Sequence, residues 1–192
     1  MKKNSIVFGV ALIMGVFLSN SVFAQTATQN LSLKVDGSAL LAVVGIGANI
    51  AVPSVSMSLA GATEAGAEVM TTIENQSTRL RVSSLVEGGL FRSISASISE
   101  SLYPAGTTLS LELIKQGPFL PDPVNGGTSA GPKDITAATT TALLLVSDIT
   151  TCWSGTADGD GYIIKYVFGK RDGATALVSK DITVTYTIST AI

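Results

Sequence analysis

The chain has 192 residues, 46% of them hydrophobic and only 14% charged, with no histidine and one cysteine. That composition excludes Ser/His/Asp and Cys/His nucleophile systems, the common zinc ligand sets and any intramolecular disulfide. Beyond Lys2 and Lys3 it carries ten basic residues against 14 acidic ones without a basic cluster, so it offers no electrostatic footprint for nucleic acid.

Lys2 and Lys3 precede an apolar run over residues 6–18, followed by Val22-Phe23-Ala24 before Gln25. This is the pattern of a secretory signal peptide over residues 1–24, and the run falls short of the ~20 residues that span a bilayer. The expected product is exported, to the periplasm, the outer cell surface or the medium, with no membrane span after signal removal. Residues 25–192 are expected to form one domain. They contain 21 Thr and 19 Ser against 24 charged residues, so hydroxyls dress the solvated faces.

Period-two alternation then dominates, the mark of half-buried strands. Leu31, Leu33 and Val35 alternate with polar residues, as do Val55, Met57 and Leu59, then Leu80 and Val82, then Ile94, Ala96 and Ile98, then Leu109, Leu111 and Leu113. Residues 39–44, 142–146 and 162–168, the last interrupted only by Lys165, are apolar on both sides and suit strands at a sheet centre or beneath a second layer. Residues 182–188 return to strict alternation. Asp36-Gly37, Glu87-Gly88-Gly89 and Asp158-Gly159-Asp160-Gly161 supply turns, and residues 60–69 hold the one candidate helical turn. The Pro- and Gly-rich stretch at 117–132 reads as a surface loop. Together these give an all-β fold, an antiparallel immunoglobulin-like or jelly-roll β-sandwich of about nine to eleven strands.

Few residues suggest chemistry. The acidic turn at Asp158 and Asp160, with Asp148 and Asp172, is weighed as a Ca²⁺ site but lacks the remaining ligand positions, and its immediate role is a turn. Glu112 is the one carboxylate clearly mid-strand, and nothing marks a partner for acid–base work. No catalytic residue, cofactor or metal is expected. Trp153 beside Cys152 is expected to fill the core, with the thiol buried. Tyr103 and Phe119, in loops beside Pro104 and Pro118, are the candidates for an exposed ligand platform; otherwise they pin those loops to the sandwich. Asn30-Leu-Ser32 and Asn75-Gln-Ser77 fit the glycosylation pattern; the compact signal with Lys2 and Lys3 looks like a bacterial one, and in a bacterial chain the pattern would be idle.

Leu31-Ser-Leu33-Lys-Val35 at one end and Ile182-Thr-Val184-Thr-Tyr186-Thr-Ile188 at the other resemble, in pattern, the donor and terminal strands of bacterial secreted pilin-like surface β-sandwich proteins. The chain departs from many of these in lacking a cysteine pair and in the place of Tyr186 relative to the C-terminus. The resemblance implies subunits that lend a strand to a neighbour's sheet. Two functions follow as expectations. One is a non-enzymatic envelope or extracellular structural or adhesive protein that associates with itself or with other envelope proteins. The other is a glycan- or other ligand-binding module without catalysis.

Overall fold

The computed structural model describes residues 37–47, 50–52, 54–67, 71–102, 106–174, 177 and 179–192. The expected signal peptide and the alternating segment at 31–35 lie outside them. Among the described residues there are ten strands: β1 (Ser38–Gly45), β2 (Thr72–Leu85), β3 (Arg92–Ile98), β4 (Thr107–Gln116), β5 (Gly126–Ser129), β6 (Lys133–Asp134), β7 (Leu143–Ile149), β8 (Cys152–Trp153), β9 (Gly161–Lys170) and β10 (Val184–Ile188). No helix among these residues is long and apolar enough to cross a membrane.

The strands form a β-sandwich in which every pairing is antiparallel. One sheet runs β1-β2-β9-β4-β6, with β8 added to β2; the other runs β10-β3-β7-β5. Alternation explains the layers. In β3, Arg92, Ile94, Ala96 and Ile98 are buried while the intervening serines are half-exposed, and in β4 Leu109, Leu111 and Leu113 turn inward against Ser110 and Glu112. These faces meet Leu80, Val82, Tyr162 and Ile164 from β2 and β9 and Leu145, Val146 and Ile149 from β7 in one core.

Sequence and structure differ at four places. The apolar run at 39–44 is β1, an edge strand, and Leu40 on its outer face is 70% exposed. Apolar character on both sides therefore does not mean a central position here, whereas the run at 162–168 does lie in central β9. The alternating residues 55–59 belong to no strand; they lie inside the long connection between β1 and β2. Residues 63–66 make bends and a turn rather than helix. The stretch at 117–132 is only partly loop, because it contains a 3₁₀ turn at Pro123–Asn125 and strand β5. Its glycines make the difference: a Cβ at Gly126 would sit 2.5 Å from the Phe119 ring, and one at Gly127 would sit 2.2 Å from the Ser147 carbonyl.

The two leucine environments predict opposite sensitivities. Leu111→Ala, at a fully buried position, should lower unfolding free energy by about 2–5 kcal/mol. Leu40→Ala should change it by no more than about 0.5 kcal/mol. Urea unfolding of both variants against the parent chain checks the pair.

Candidate functional site: an open sandwich edge and an outer apolar row

Among the described residues β1 and β10 are edge strands of their sheets, and the two edges lie near each other on one side of the sandwich. On its inner side β10 pairs with β3: the Ser99 N–H donates to the Thr183 carbonyl at 2.9 Å, and the Ser189 N–H donates to the Ser93 carbonyl at 2.8 Å. Bonded and unbonded residues alternate in an antiparallel ladder, so Val184, Tyr186 and Ile188 aim their backbone groups at the free edge. Such an edge is a template for a further strand.

Beside this edge lies a groove of about 600 Å³ between the sheets. Val43, Thr78 and Phe168 line it from the first sheet, and Val184 and Tyr186 line it from the second. The Tyr166 and Tyr186 hydroxyls share a hydrogen bond of 2.7 Å across it and tie β9 to β10. Burial pushes both phenols above their ordinary ionisation range; at Tyr186 the neighbouring Tyr166 adds to the shift. Thr78 is 1% exposed, and its hydroxyl has no hydrogen-bond partner among the described residues. A buried hydroxyl left in that state is costly. Ser54, Val55, Ser56 and Met57, from the connection between β1 and β2, also line the groove.

The groove and the point where the described chain begins lie at opposite ends of β1. Gly37 adjoins the end where Ser38 pairs with Leu85; a Cβ there would lie 3.3 Å from Arg92 Nη2. Arg92 Nη1 in turn donates to the Ser189 carbonyl at 2.8 Å, beyond the C-terminal end of β10. The groove is at the other end, where Val43 and Gly45 pair with Leu80 and Thr78 and where Lys180 and Asp181 lead into β10. Six residue steps along a strand separate Gly37 from Val43, roughly 20 Å.

A second feature lies on the outer face of the first sheet. Ser83 is opposite Leu40 on one side and Trp153 on the other, and Trp153 bridges to Leu120. This register makes a row of Leu40, Ser83, Trp153 and Leu120, with Trp153 46% and Leu120 41% exposed. Trp153 is therefore not the core residue its sequence context suggests. Neighbours on a strand point to opposite faces, and it is Cys152 that turns inward, 1% exposed, its thiol pushed by burial up to about 11.

The candidate platform residues are not brought together. Tyr103 lies outside the described residues. Phe119 is completely buried, its ring 4.8 Å from that of Tyr162, so it presents no exposed surface and anchors its loop instead. Tyr162 reinforces this by donating its hydroxyl proton to the Gly126 carbonyl. The acidic turn is engaged internally: Asp158 Oδ1 accepts from the Gly47 N–H and Asp160 Oδ2 from the Ala157 N–H, both at 2.7 Å. No group of three metal-ligating side chains occurs among the described residues. Glu112 lies opposite Lys165 in the β4–β9 register, and Lys165 Nζ is 3.1 Å from Glu74. Exposed ion pairs of this kind contribute ~1 kcal/mol or less.

Comparison with family models, with curated proteins and with solved structures gives no match to this chain.

The raised thiol and phenol ionisations predict alkaline sensitivity. Each group is neutral in the fold and ionises at lower pH once unfolded, so the unfolded chain binds fewer protons in that window and stability falls as pH rises. For Cys152 the window runs from the ordinary 9.0 to about 11. Stability measured by urea unfolding should hold from neutral pH to about 9 and then decline. In Cys152→Ala the decline should start later, at the tyrosines; an unchanged onset would show that the thiol does not contribute.

Proposed function

We propose that this chain is an exported, non-catalytic structural or adhesive protein of a bacterial envelope or cell surface that assembles with copies of itself by strand addition. In this reading residues 31–35 of one copy add to the free edge of β10 in the next. Leu31, Leu33 and Val35 enter the groove, and main-chain hydrogen bonds form to Val184, Tyr186 and Ile188. The single observation that carries the reading is that the groove lies at one end of β1 and Gly37, where the alternating segment joins, lies at the other. A donor leaving one end and an acceptor at the opposite end make a heterologous, head-to-tail contact, which repeats into chains. The hydroxyl-rich outer faces suit a protein whose work is done by its surface.

Two variants of the chain beginning at Gln25 test this. Leu31→Asp with Leu33→Asp removes the apolar donor while leaving the groove intact. Val184→Pro removes a donor from the free edge at the first residue of a strand, where proline is tolerated. The parent chain should form concentration-dependent oligomers by size-exclusion chromatography with light scattering. Each variant alone should be monomeric, and their mixture should yield a heterodimer. A parent chain that stays monomeric at every concentration removes the self-assembly reading. Variants that still oligomerise place assembly on another surface.

The Leu40–Ser83–Trp153–Leu120 row favours a second reading, a glycan-binding module. A half-exposed indole on a flat sheet, beside a serine hydroxyl and the backbone-anchored Arg81, can receive the apolar face of a sugar ring while the rim bonds its hydroxyls. Soluble polysaccharide should then change the tryptophan fluorescence with saturation, and Trp153→Ala should abolish retention on the immobilised polymer. An unchanged spectrum and equal retention of the variant would dispose of this reading.

A further inference from the structure

The connection between β1 and β2 is the least economical part of the fold. These strands are adjacent and antiparallel, a pair that two residues suffice to join, yet residues 46–71 lie between them. Structureless connections of that length inside a compact domain usually carry a function. The first part is tied down: the Gly45 N–H donates to the Ile50 carbonyl at 2.9 Å, and Val44 bridges to Ala51. Residues 54–59 then follow, Ser-Val-Ser-Met-Ser-Leu, with the serines exposed and Val55, Met57 and Leu59 half-buried. Val55 and Met57 sit on the groove. Despite this strand-like alternation, the segment makes no backbone ladder to β1 or β10 among the described residues.

Its pattern is also that of the donor. Ser54-Val55-Ser56-Met57-Ser58-Leu59 and Asn30-Leu31-Ser32-Leu33-Lys34-Val35 are both six residues of polar–apolar alternation in the same phase. The donor segment differs in carrying Lys34, and Asp181 at the groove offers an opposite charge. Beneath Val55 and Met57 the Thr78 hydroxyl has no partner among the described residues, so the segment covers the groove without satisfying its polar floor.

We infer that residues 54–59 are a displaceable strap that shields the groove of a single copy and is replaced there by residues 30–35 of a second copy. This rests on the strand-addition reading and adds its regulation. The strap contributes apolar lining to the groove but no ladder hydrogen bonds among the described residues, so it shields the groove while remaining weaker than a laddered strand. Opening it reduces the apparent affinity for the donor by the fraction of copies that are open. Assembly is thereby slowed until copies are concentrated together.

The test uses the chain beginning at Gln25 with Leu31→Asp and Leu33→Asp, which keeps the groove but cannot donate, and a synthetic peptide of residues 28–36 as the probe. Hydrogen exchange followed by mass spectrometry should show residues 54–59 exchanging faster and residues 184–188 more slowly when the peptide is bound. Adding Val55→Ser with Met57→Ser should tighten peptide binding about tenfold or more, because less cover has to be displaced. Slower exchange at 54–59 on binding, or equal or weaker binding to the strap variant, would make these residues a wall of the site and overturn the inference while leaving strand addition standing. Binding to neither protein would instead remove strand addition itself, and the strap with it.

Discussion

A β-sheet has to do something with the backbone groups of its last strand, and the side of β10 left without a partner strand among the described residues is the constraint from which the other features are read. The first sheet extends to β1, and among the described residues no strand pairs with the outer side of β10 beside Val43 and Thr78. The result is an inter-sheet groove instead of a closed core. The Tyr166–Tyr186 hydrogen bond limits how far the sheets separate there, and its position inside the groove raises both phenol ionisations. Val55 and Met57 of the 54–59 segment line this groove together with Val43, Val184 and Tyr186. Edge, groove, tyrosine bridge and long β1–β2 connection are thus consequences of one missing strand position.

The closed end is built differently. Phe119 and Tyr162 pack ring to ring, the Tyr162 hydroxyl satisfies the Gly126 carbonyl, and Lys115 Nζ donates to the Gly127 carbonyl at 2.8 Å. Those bonds turn an apparently irregular proline-rich stretch into a plug with its own strand. This plug and the groove lie toward opposite ends of the sandwich, a polarity that the proposed head-to-tail addition would use.

Much of the fold is legible in the sequence because burial with period two is a local property. The phases of β3, β4 and β10 can be read from Ile94, Leu111 and Tyr186 and their polar neighbours. What is not local is less visible. Nothing in residues 39–44 distinguishes a buried central strand from an edge whose outer leucine faces water. Residues 54–59 alternate as well as any strand, yet pairing depends on a neighbour hundreds of atoms away in chain order. Phe119 is read as exposed because its loop contains prolines, while the signal that it is buried is the space left by Gly126. The Trp153 assignment could have been reached from sequence. Cys152 and Trp153 are consecutive on one short strand, so on a half-buried sheet only one of them can be inside.

The same locality bears on why two segments share one pattern. A strand that is to add to β10 needs apolar residues at every second position to fill the groove and free N–H and C=O groups to complete the ladder. A segment that is only to shield the groove needs the first property and not the second. Residues 30–35 and 54–59 both meet the first requirement, and the tether at Val44–Ala51 holds 54–59 by its upstream end beside β1 and not along β10. Backbone hydrogen bonds contribute only about 0.5–1.5 kcal/mol each net of water. Three backbone positions on the free edge are nevertheless enough to separate a covering segment from an added strand by several kcal/mol. In the proposed assembly, the difference between a shielded copy and a joined one would lie less in side-chain fit, which the two segments share, than in the ladder that the incoming strand would complete.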